Sequence, residues 1–496
     1  MDINIFLFGY KYMEYEKELL KREIESLIPN AILENDGQTY VLRNICEENL
    51  PLIDRLTYVK GYSIGNDYYL TLQGKLEESC TDISENKQST RYSTNGLHEY
   101  KGKFNPQIVH AILNVLKISN SDRVLDPFCG SGTTLLECEH MGIHAEGTDI
   151  NPLAAYIANT KIKSLSIDTE YTLKFIKNIV ESIKQNKHIT QYDSDDRMVY
   201  LSHWIPEETL MKLEFIRNSC AAVSDAISDF IKVLTSDLIR DYSNQEPSDL
   251  RIRKRISPFP TIPFEEALMK NAIKYLERIN NVNDAITTHQ RNTAHNIDIR
   301  NVNEDNFVKF DAAITSPPYA TALPYIDTQR ISLVWLGMIS ALEIKELEAT
   351  LIGSREILSS EKAALNKELS ENAGNLPDEL YELIIQMKSA INEKDGFRKQ
   401  AVPVLLYRYF CDMQQMFVKT RKLIKCKGKF ALVVGHNKTT LGGIEYQINT
   451  PFLLSILSEN VGWKTIELFP LQTYKRYGLN NKNAITKESL IILERG

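Results

Sequence analysis

From about residue 98 onward, short apolar runs alternate with stretches of helical periodicity, and this alternation restricts the fold more than any other feature of the sequence. Strands that alternate with helices predict an α/β protein with a mainly parallel, doubly wound sheet covered on both faces. Ligands of such sheets bind beyond the carboxyl ends of the strands, near the point where the strand order reverses. The seven predicted strands are Arg123–Phe128, His144–Ile150, Asn296–Ile299, Phe310–Thr315, Lys429–Val434, Trp463–Phe469 and Ser489–Glu494.

The chain is predicted to contain more than one structural unit, because 496 residues are too many for one ordinary hydrophobic core. Residues 1–76 show strand-like and helix-like patterns, which predict a small N-terminal α/β domain, and the polar residues 77–97 predict a linker. Two long helical stretches are predicted to be insertions in the sheet domain. The sheet domain is thus divided into 98–163, 293–337 and 401–496, with the helical insertions at 164–292 and 338–400.

Composition narrows the class of protein. A hydrophobic content of 43% and a charged content of 25% fit a soluble globular chain, and the apolar runs are far too short to span a membrane. The N terminus lacks a basic leader, so a soluble cytoplasmic protein is expected. Seven scattered cysteines without a Cys-x-x-Cys pair indicate neither a zinc site nor a disulfide framework. A net charge of −7 argues against a uniformly basic nucleic-acid coat but permits a local basic groove.

A glycine turn at residues 126–134 (DPFCGSGTT) closes the first predicted strand and opens a helix. Gly130 and Gly132 let the backbone approach a ligand with no Cβ in the way. Asp149 ends the second predicted strand about twenty residues further on, where a carboxylate can accept both hydroxyls of a ribose. No Gly-Lys-Ser/Thr follows, so a nucleoside cofactor without phosphates is favoured. The alternative for Asp149 is a capping role before Pro152.

A second motif, Ser-Pro-Pro-Tyr at residues 316–319, ends another predicted strand. Pro317 and Pro318 fix the backbone and remove N–H donors, so carbonyl oxygens are left as acceptors. Ser316 Oγ and the Pro317 carbonyl can jointly accept hydrogen bonds from one amino group, and Tyr319 offers a ring face on which a base can stack. The alternative is a proline-rich turn without a chemical role.

These residue types suit the methylation of an exocyclic amine on cytosine or adenine. Such an amine is a poor nucleophile, because its lone pair is delocalised into the ring. Two acceptors that pull on its protons favour the tetrahedral nitrogen needed for in-line attack on a sulfonium methyl group. Neither a covalent intermediate nor a catalytic cysteine is required. A base inside a duplex must first be flipped out, which costs about a few kcal/mol.

The two motifs together resemble those of the S-adenosylmethionine-dependent DNA amino-methyltransferases, which act on cytosine N4 and adenine N6. Residues 126–134 are similar to the family's cofactor motif, and 316–319 to its catalytic motif, in which Ser-Pro-Pro-Tyr is typical of cytosine-N4 enzymes. Residues 98–106 (HEYKGKFNP) are similar to the segment that packs over the methionine part of the cofactor. The resemblance covers roughly residues 98–494 without the insertions. It implies a Rossmann-like methyltransferase fold, S-adenosylmethionine as cofactor, double-stranded DNA as partner and no metal.

The resemblance also implies which side chains form the site. The implied catalytic residues are Ser316, Pro317, Pro318 and Tyr319. The implied cofactor-binding residues are Phe104, Pro106, Asp126, Pro127, Phe128, Gly130, Gly132, Thr133, Asp149 and Asp298. The match at Asp298 is loose, and a solvated aspartate at a strand end is its alternative.

The insertion at 164–292 is the candidate for reading DNA, since target-recognition regions of the family often lie between the two motifs. Its basic run is predicted to contact phosphates through Arg251, Arg253, Lys254 and Arg255. A solvated charged face is the alternative, because this insertion precedes the third strand and many relatives have the motifs in the opposite order. A cognate restriction endonuclease is left open as a functional partner.

Three other functions stay open at this stage. RNA guanine-N2 methyltransferases share a similar cofactor loop, and several carry a small RNA-binding module that residues 1–74 resemble loosely. Those enzymes usually have Asp or Asn at the position of Ser316. A DNA adenine-N6 methyltransferase is the second alternative. The third is a protein that binds cofactor without catalysis, which the intact Ser-Pro-Pro-Tyr disfavours.

Overall fold

The fold is given by a computed structural model that describes residues 1–35, 40–80, 87–187, 195–286, 288–320, 326–358, 360–472 and 487–496. Its two main sheets have five and seven strands, and a two-stranded hairpin stands beside them. Among the described helices, none combines the length and the apolar character needed to cross a lipid bilayer.

The N-terminal elements are β1 (Ile3–Phe6), α1 (Glu14–Leu27), β2 (Ile32–Asn35), β3 (Tyr40–Arg43), α2 (Leu50–Ile53), β4 (Gly61–Ile64), β5 (Asp67–Leu70) and α3 (Leu72–Glu78). The five strands pair antiparallel in the order β2-β3-β1-β4-β5. Ile3 and Ile5 of β1 are buried in one core with Leu20 and Ile24 of α1, while the alternating Phe6 faces solvent. The buried apolar residues recur every second position on the strand and every three to four positions on the helix, so that the two elements pack together through these faces.

The larger sheet consists of β6 (Arg123–Asp126), β7 (His144–Thr148), β8 (Thr293–His295), β9 (Phe310–Thr315), β10 (Ile424–Gly435), β13 (Trp463–Gln472) and β14 (Lys487–Arg495), and β11 (Asn437–Leu441) and β12 (Ile444–Ile448) form the hairpin. Its strand order is β13-β14-β10-β9-β6-β7-β8, with β14 antiparallel to both neighbours. The chain runs from β6 outward to β8 and then returns to β9 on the other side of β6. This confirms the predicted doubly wound, mostly parallel sheet.

Helices cover both faces of this sheet. Those that follow or precede strands directly are α4 (Pro106–Val115), α5 (Thr133–His140), α6 (Pro152–Ser164), α17 (Val402–Leu423) and α18 (Thr450–Asn460). Between β7 and β8 lie α7 (Thr169–Lys184), α8 (Asp196–Trp204), α9 (Glu207–Ser219), α10 (Asp225–Ile239) and α11 (Phe264–Asn283). Between β9 and α17 lie α12 (Arg330–Trp335), α13 (Ile344–Thr350), α14 (Lys362–Glu371), α15 (Asp378–Ser389) and α16 (Phe397–Gln400).

The third strand of the sheet lies earlier in the chain than predicted, at Thr293–His295 instead of Asn296–Ile299. The polar residues of the predicted strand form the turn that follows it. Asn296 donates from its side-chain amide to two backbone carbonyls of the turn after β7. Asp298 accepts a hydrogen bond from the Arg300 backbone N–H at 2.9 Å and begins a short 3-10 turn. Side chains that bond to the backbone in this way compete with the strand ladder.

The polar stretch predicted as a linker is buried over its described C-terminal part. Tyr92, Ser93, Thr94 and Asn95 have no exposed surface. Asn95 donates to a carboxyl oxygen of Glu137 at 2.8 Å, Thr94 donates to the Lys161 carbonyl at 3.0 Å, and the Ser93 hydroxyl bonds to the His140 ring at 3.0 Å. The prediction of a linker is therefore wrong for residues 92–95, because the polar groups of Ser93, Thr94 and Asn95 form hydrogen bonds in the interior instead of contacting water.

The N-terminal layer contacts the larger sheet through α1, which packs on α4 and β13, and the two share one hydrophobic core. Arg22 of α1 donates to Glu467 of β13 at 2.7 Å. The Glu23 carboxyl is fully buried and accepts hydrogen bonds from Thr57 and, at 2.7 Å, from Asn114 of α4. A buried carboxyl bonded from both sides of an interface fixes how the two layers fit together.

We expect the stability of the protein to depend on pH through Glu23. Burial raises the pKa of this carboxyl to about 7. Between pH 5 and 7 the native state therefore keeps a proton that the unfolded state has already lost. The stabilisation is fully present below the unfolded pKa and is lost as pH rises through 7. In Glu23→Gln, Tm should fall less between pH 5 and 8 than in the wild type. The difference corresponds to a change on the order of 2 kcal/mol in the free energy of unfolding.

Thermal unfolding followed by circular dichroism across that pH range measures this effect. Glu25→Gln, at an exposed position of the same helix, is the matched control and should keep the wild-type pH profile. Parallel profiles for the wild type and Glu23→Gln would contradict the assignment.

Candidate active site

The two motifs found in the sequence meet at one edge of the larger sheet. β6 and β9 are parallel neighbours, with Val124 opposite Ala312, so their carboxyl ends point the same way. Thr315, the last residue of β9, donates from Oγ1 to Asp126 Oδ1 at 2.6 Å. The glycine turn after β6 and the Ser-Pro-Pro-Tyr segment after β9 therefore start from adjacent, hydrogen-bonded residues, at the point where the strand order reverses.

Asp126 holds the start of the glycine turn instead of facing solvent. Its side chain is 2% exposed, and it also accepts a hydrogen bond from the Phe128 N–H at 3.1 Å. Burial raises the pKa of this carboxyl to about 6. The Pro127 carbonyl accepts from Thr148 Oγ1 at 2.9 Å, which ties the turn to β7. Phe128 is half-buried at the same edge.

The glycines of the turn are required by its backbone. Gly130 and Gly132 have φ values of +49° and +80°, in the region that favours glycine. A Cβ on Gly132 would lie 2.6 Å from the Cβ of Ala158 on α6. The Gly130 N–H donates to Asp149 Oδ2 at 3.0 Å, and Thr133 begins α5 just beyond the turn. The backbone of the turn therefore lies close to α6, and no side chain of Gly130 or Gly132 covers it at the carboxyl end of β6.

A buried lysine supports the turn from α6 and was not among the residues predicted for the site. Lys161 has no exposed surface, and its Nζ donates to the Ser131 carbonyl at 2.8 Å. Burial, together with the charge of Lys103, lowers the pKa of Lys161 well below its usual value. The signal in the sequence was a lysine on the apolar face of α6, but a lysine at such a position usually extends to solvent.

Asp149 follows β7 and faces the glycine turn. One carboxyl oxygen accepts from Gly130 and the other from the Asn151 N–H at 2.8 Å. Burial, opposed by these two hydrogen bonds, raises its pKa to about 6. Asn151 caps α6 and donates from its side chain to Gln329 at 2.6 Å. The turn after β7 is therefore linked to the chain that follows the Ser-Pro-Pro-Tyr segment.

The segment 98–106 packs over the glycine turn. A Cβ on Gly130 would lie 3.3 Å from the Tyr100 ring, so this ring covers the turn. Phe104 is half-buried against the core that contains β6, and Pro106 is the buried first residue of α4. The contact with the turn is therefore made by Tyr100, which was not predicted for the site, while Phe104 and Pro106 lie four and six residues further along the same segment.

Asp298 lies just beyond β8 and is held in an ion pair. Both of its carboxyl oxygens accept hydrogen bonds from the Arg300 guanidinium, at 2.7 to 3.1 Å. Arg300 also donates to Asp412 of α17 at 2.6 Å. Asp298 is thus at the predicted edge of the sheet, but a ligand would have to share its oxygens with Arg300.

In the Ser-Pro-Pro-Tyr segment, the tyrosine hydroxyl is hydrogen-bonded to another residue, whereas the serine hydroxyl has no described partner. Ser316 is half-buried, and its hydroxyl forms no hydrogen bond with another residue in the described part of the chain. Pro317 is buried and Pro318 half-buried. The Tyr319 hydroxyl donates to Glu488 of β14 at 2.8 Å. Glu488 was not predicted for the site, because its position next to Tyr319 depends on the pairing of β10 with β14.

Neighbouring elements hold the chain around Tyr319 as well. Asn437 at the start of β11 donates to the Ala320 carbonyl at 2.6 Å. Gly353 packs so closely on the Tyr319 carbonyl that any Cβ there would overlap it. The backbone at the end of the motif is therefore confined from two sides.

The basic run at 251–255 has mixed surroundings. Arg253 pairs with Asp249 at 3.1 Å, and Lys254 lies over the Trp204 ring at 5.2 Å. Arg251 is exposed. The Arg255 guanidinium instead donates to four backbone carbonyls of its own loop, those of Asp241, Ser243, Ser257 and Pro258. Arg255 therefore differs from the prediction, since these bonds give it a role in holding the loop.

The strand order and the glycine turn after β6 define a Rossmann-like methyltransferase fold. A sequence profile for the N6/N4 DNA methylases matches residues 69–160. Two Type II methyltransferases are similar over most of their length: M.MvaI of Kocuria varians is 23% identical over 71% of this chain and 80% of its own. M.BsoBI of Geobacillus stearothermophilus is 23% identical over 81% of this chain and 87% of its own. These similarities support a relationship of this chain to the N4/N6 DNA methyltransferases.

A shorter similarity reaches a methyltransferase of another kind. The tRNA (guanine(10)-N2)-dimethyltransferase of Methanothermobacter thermautotrophicus is 38% identical over 52 residues, which are 10% of this chain and 16% of that protein. The match to the methylase profile also includes the buried residues Tyr92, Ser93, Thr94 and Asn95.

We expect Gly132→Ala to abolish binding of the methyl donor and to destabilise the protein. The left-handed backbone alone disfavours alanine by roughly 1–2 kcal/mol, and the overlap with Ala158 adds to this. Gly65→Ala is the matched control, because Gly65 has a φ of +60° with nothing near its Cβ position. Thermal unfolding and calorimetric titration with S-adenosylmethionine measure both effects. Unchanged donor affinity in Gly132→Ala would remove the turn from the binding site.

Proposed function

We propose that this protein is a site-specific DNA methyltransferase that transfers a methyl group from S-adenosylmethionine to the exocyclic N4 amine of cytosine in double-stranded DNA. The observation that carries the proposal is the hydrogen bond between Thr315 and Asp126. This bond joins the residue just before Ser316 to Asp126, the first residue of the glycine turn. A methyl donor on one loop can then be within reach of an amine on the other.

The residues around the glycine turn fit the proposed donor. Gly130 and Gly132 leave space at the edge of the sheet that side chains would fill. Asp149 has two carboxyl oxygens whose remaining lone pairs can accept the ribose hydroxyls. The Tyr100 ring against Gly130 and the half-buried Phe128 within the turn supply apolar surface for the donor. S-adenosylmethionine would supply an electrophilic methyl group on a sulfonium centre.

The acceptor residues act on the amine. Ser316 Oγ and the Pro317 carbonyl accept hydrogen bonds from its two protons, which draws the nitrogen lone pair out of conjugation with the ring. When the C–N bond forms, the nitrogen gains positive charge and must lose one proton. Ser316 Oγ accepts the hydrogen bond from the departing N–H, and the proton passes by way of this hydroxyl to solvent water. The Tyr319 ring, held by Glu488, stacks on the flipped base.

Cytosine N4 is favoured over adenine N6 by the serine at the first position of the motif, as the family resemblance implies. The names of M.MvaI and M.BsoBI as Type II methyltransferases support site-specific action on DNA. A cognate restriction endonuclease stays a prediction. The similarity to the tRNA dimethyltransferase covers too little of the chain to favour an RNA substrate.

We expect Ser316→Ala and Tyr319→Ala to lower methyl transfer at least about 100-fold, because each removes a group that acts on the amine or the base. Binding of S-adenosylmethionine should stay within about twofold, since neither residue belongs to the glycine turn. Transfer of labelled methyl groups to unmethylated plasmid DNA measures the first effect. Ser121→Ala, at an exposed position before β6 and so at the opposite edge of the sheet, is the control.

The modified nucleoside distinguishes the candidate functions. Enzymatic digestion of the methylated product, followed by mass spectrometry, should yield N4-methylcytosine. If the product contained N6-methyladenine instead, the target would be adenine N6 and not cytosine N4. Transfer to tRNA alone, with N2-methylguanine as the product, would overturn the assignment to DNA.

We expect the affinity for S-adenosylmethionine to fall below about pH 6. Burial raises the pKa of Asp149 to about 6, and hydroxyl donors bind the carboxylate better than the protonated acid. Asp149→Asn should weaken binding at pH 8 and remove this pH dependence. Calorimetric titration between pH 5 and 8 tests the assignment, with Asp122→Asn, at the opposite edge of the sheet, as the control. An unchanged profile in Asp149→Asn would exclude Asp149 from the ribose site.

A further inference from the structure

The peptide between Ser131 and Gly132, within the glycine turn, is hydrogen-bonded through both of its polar groups. Its carbonyl, that of Ser131, accepts from the Nζ of Lys161 at 2.8 Å. Its N–H, that of Gly132, donates to the Cys129 carbonyl at 2.7 Å. Two groups from different parts of the chain therefore hold one peptide of the turn in a single orientation.

The glycine alone does not specify that orientation. Gly132 has a φ of +80°, but a residue without a Cβ populates positive and negative φ about equally. If the peptide turned over, Gly132 would take a different φ and the Ser131 carbonyl would point away from the amine. The hydrogen bond from Lys161 therefore favours one of two backbone conformations that a glycine permits.

The helix α6 brings the amine of Lys161 to the turn at a fixed place. The Lys161 side chain has no exposed surface. Ala158, one helical turn earlier on the same face, is the residue that a Cβ on Gly132 would meet at 2.6 Å. Thr94 donates from Oγ1 to the Lys161 carbonyl at 3.0 Å, near the end of α6, where carbonyls lack helical partners. One face of α6 therefore contacts the turn through a small residue and a buried donor.

The surroundings of the amine suit a hydrogen-bond donor better than a charge. Lys103 of the segment 98–106 and Asp237 of α10 are the charged neighbours of Lys161, with opposite signs, and the His98 ring is a third titratable neighbour. Burial, followed by the charge of Lys103, lowers the pKa of Lys161 well below its usual value. The neutral amine can still donate to the Ser131 carbonyl. The role of this lysine in the turn therefore depends on its N–H groups.

We propose that Lys161 is a positioning residue for the methyl donor, whose amine holds the Ser131–Gly132 peptide in the orientation in which the glycine turn binds S-adenosylmethionine. This proposal rests on the proposed function, which makes the turn the donor site. Lys161 acts through the turn, because its side chain has no exposed surface with which to contact a ligand. A loop already fixed in its bound conformation gains affinity, since less conformational entropy is lost on binding.

We expect Lys161→Met to raise the Kd for S-adenosylmethionine about 10-fold, since the unbranched side chain fills similar space but leaves the Ser131 carbonyl without its donor. Methyl transfer to plasmid DNA at saturating donor should stay within about threefold, because Ser316 and Tyr319 are unchanged. Calorimetric titration gives the Kd and the fraction of competent protein, and initial rates give KM and kcat. A purely structural role would instead lower the competent fraction and kcat at an unchanged Kd.

Two variants control for the loss of charge and for the loss of stability. Lys163→Met removes an exposed lysine from the same helix, where it pairs with Asp229 at 3.2 Å. Thr94→Val removes a buried hydrogen bond to the Lys161 carbonyl but leaves the amine in place. Both should bind S-adenosylmethionine within about twofold of the wild type. Thermal unfolding of each variant shows how much stability it has lost.

A folded Lys161→Met protein with the wild-type Kd would overturn the positioning role. If Lys161→Met did not fold, the same titration would use Lys161→Gln, which keeps an N–H donor on a shorter side chain. Weaker binding by a fully competent Lys161→Gln protein would support the role, and an unchanged Kd would overturn it. If the wild type did not bind S-adenosylmethionine, the proposed function itself would fail.

Discussion

The candidate active site, at the carboxyl ends of the strands of the larger sheet, depends on the pairing of β6 with β9. The two strands are parallel neighbours at the reversal of the strand order, and the Asp126–Thr315 hydrogen bond joins their last residues. A buried carboxyl needs such partners, because its desolvation is not otherwise compensated. One interaction therefore both satisfies Asp126 and sets the distance between the glycine turn and the catalytic motif. The order of the motifs along the chain has no influence on that distance.

Buried polar groups connect the layers around this edge. Lys161 holds the glycine turn from α6, Asn95 bonds to Glu137 of α5, and Glu23 joins α1 to α4. Each lies in an interior where an unsatisfied group would cost free energy, so each specifies one arrangement of its neighbours. The described parts of residues 1–97 therefore share a core with the sheet that carries the motifs.

Local patterns were sufficient to predict the sheet, the glycine turn and the position of Ser316 at a strand end. They could not predict Glu488 or Lys161, since these act through contacts between distant parts of the chain. The supposed linker shows the opposite error: a polar composition was taken for exposure, although Asn95 is buried. Arg255 looked like a phosphate ligand for a similar reason. The sequence shows that Arg255 is charged, but it does not show that four backbone carbonyls accept hydrogen bonds from its guanidinium group.

The position of the first insertion, before β8, argued against a role in reading DNA. In the structure, Gln245 of this insertion donates to the carbonyl of Asp327, which follows the Ser-Pro-Pro-Tyr segment in the chain. Gly353, between β9 and α17, contacts Tyr319 from another side. One contact is at the Asp327 carbonyl and the other at the Tyr319 carbonyl. Under the proposed function, a DNA strand that lay against these two insertions would bear on the backbone at both positions, so that binding of the strand and placement of its base would be coupled.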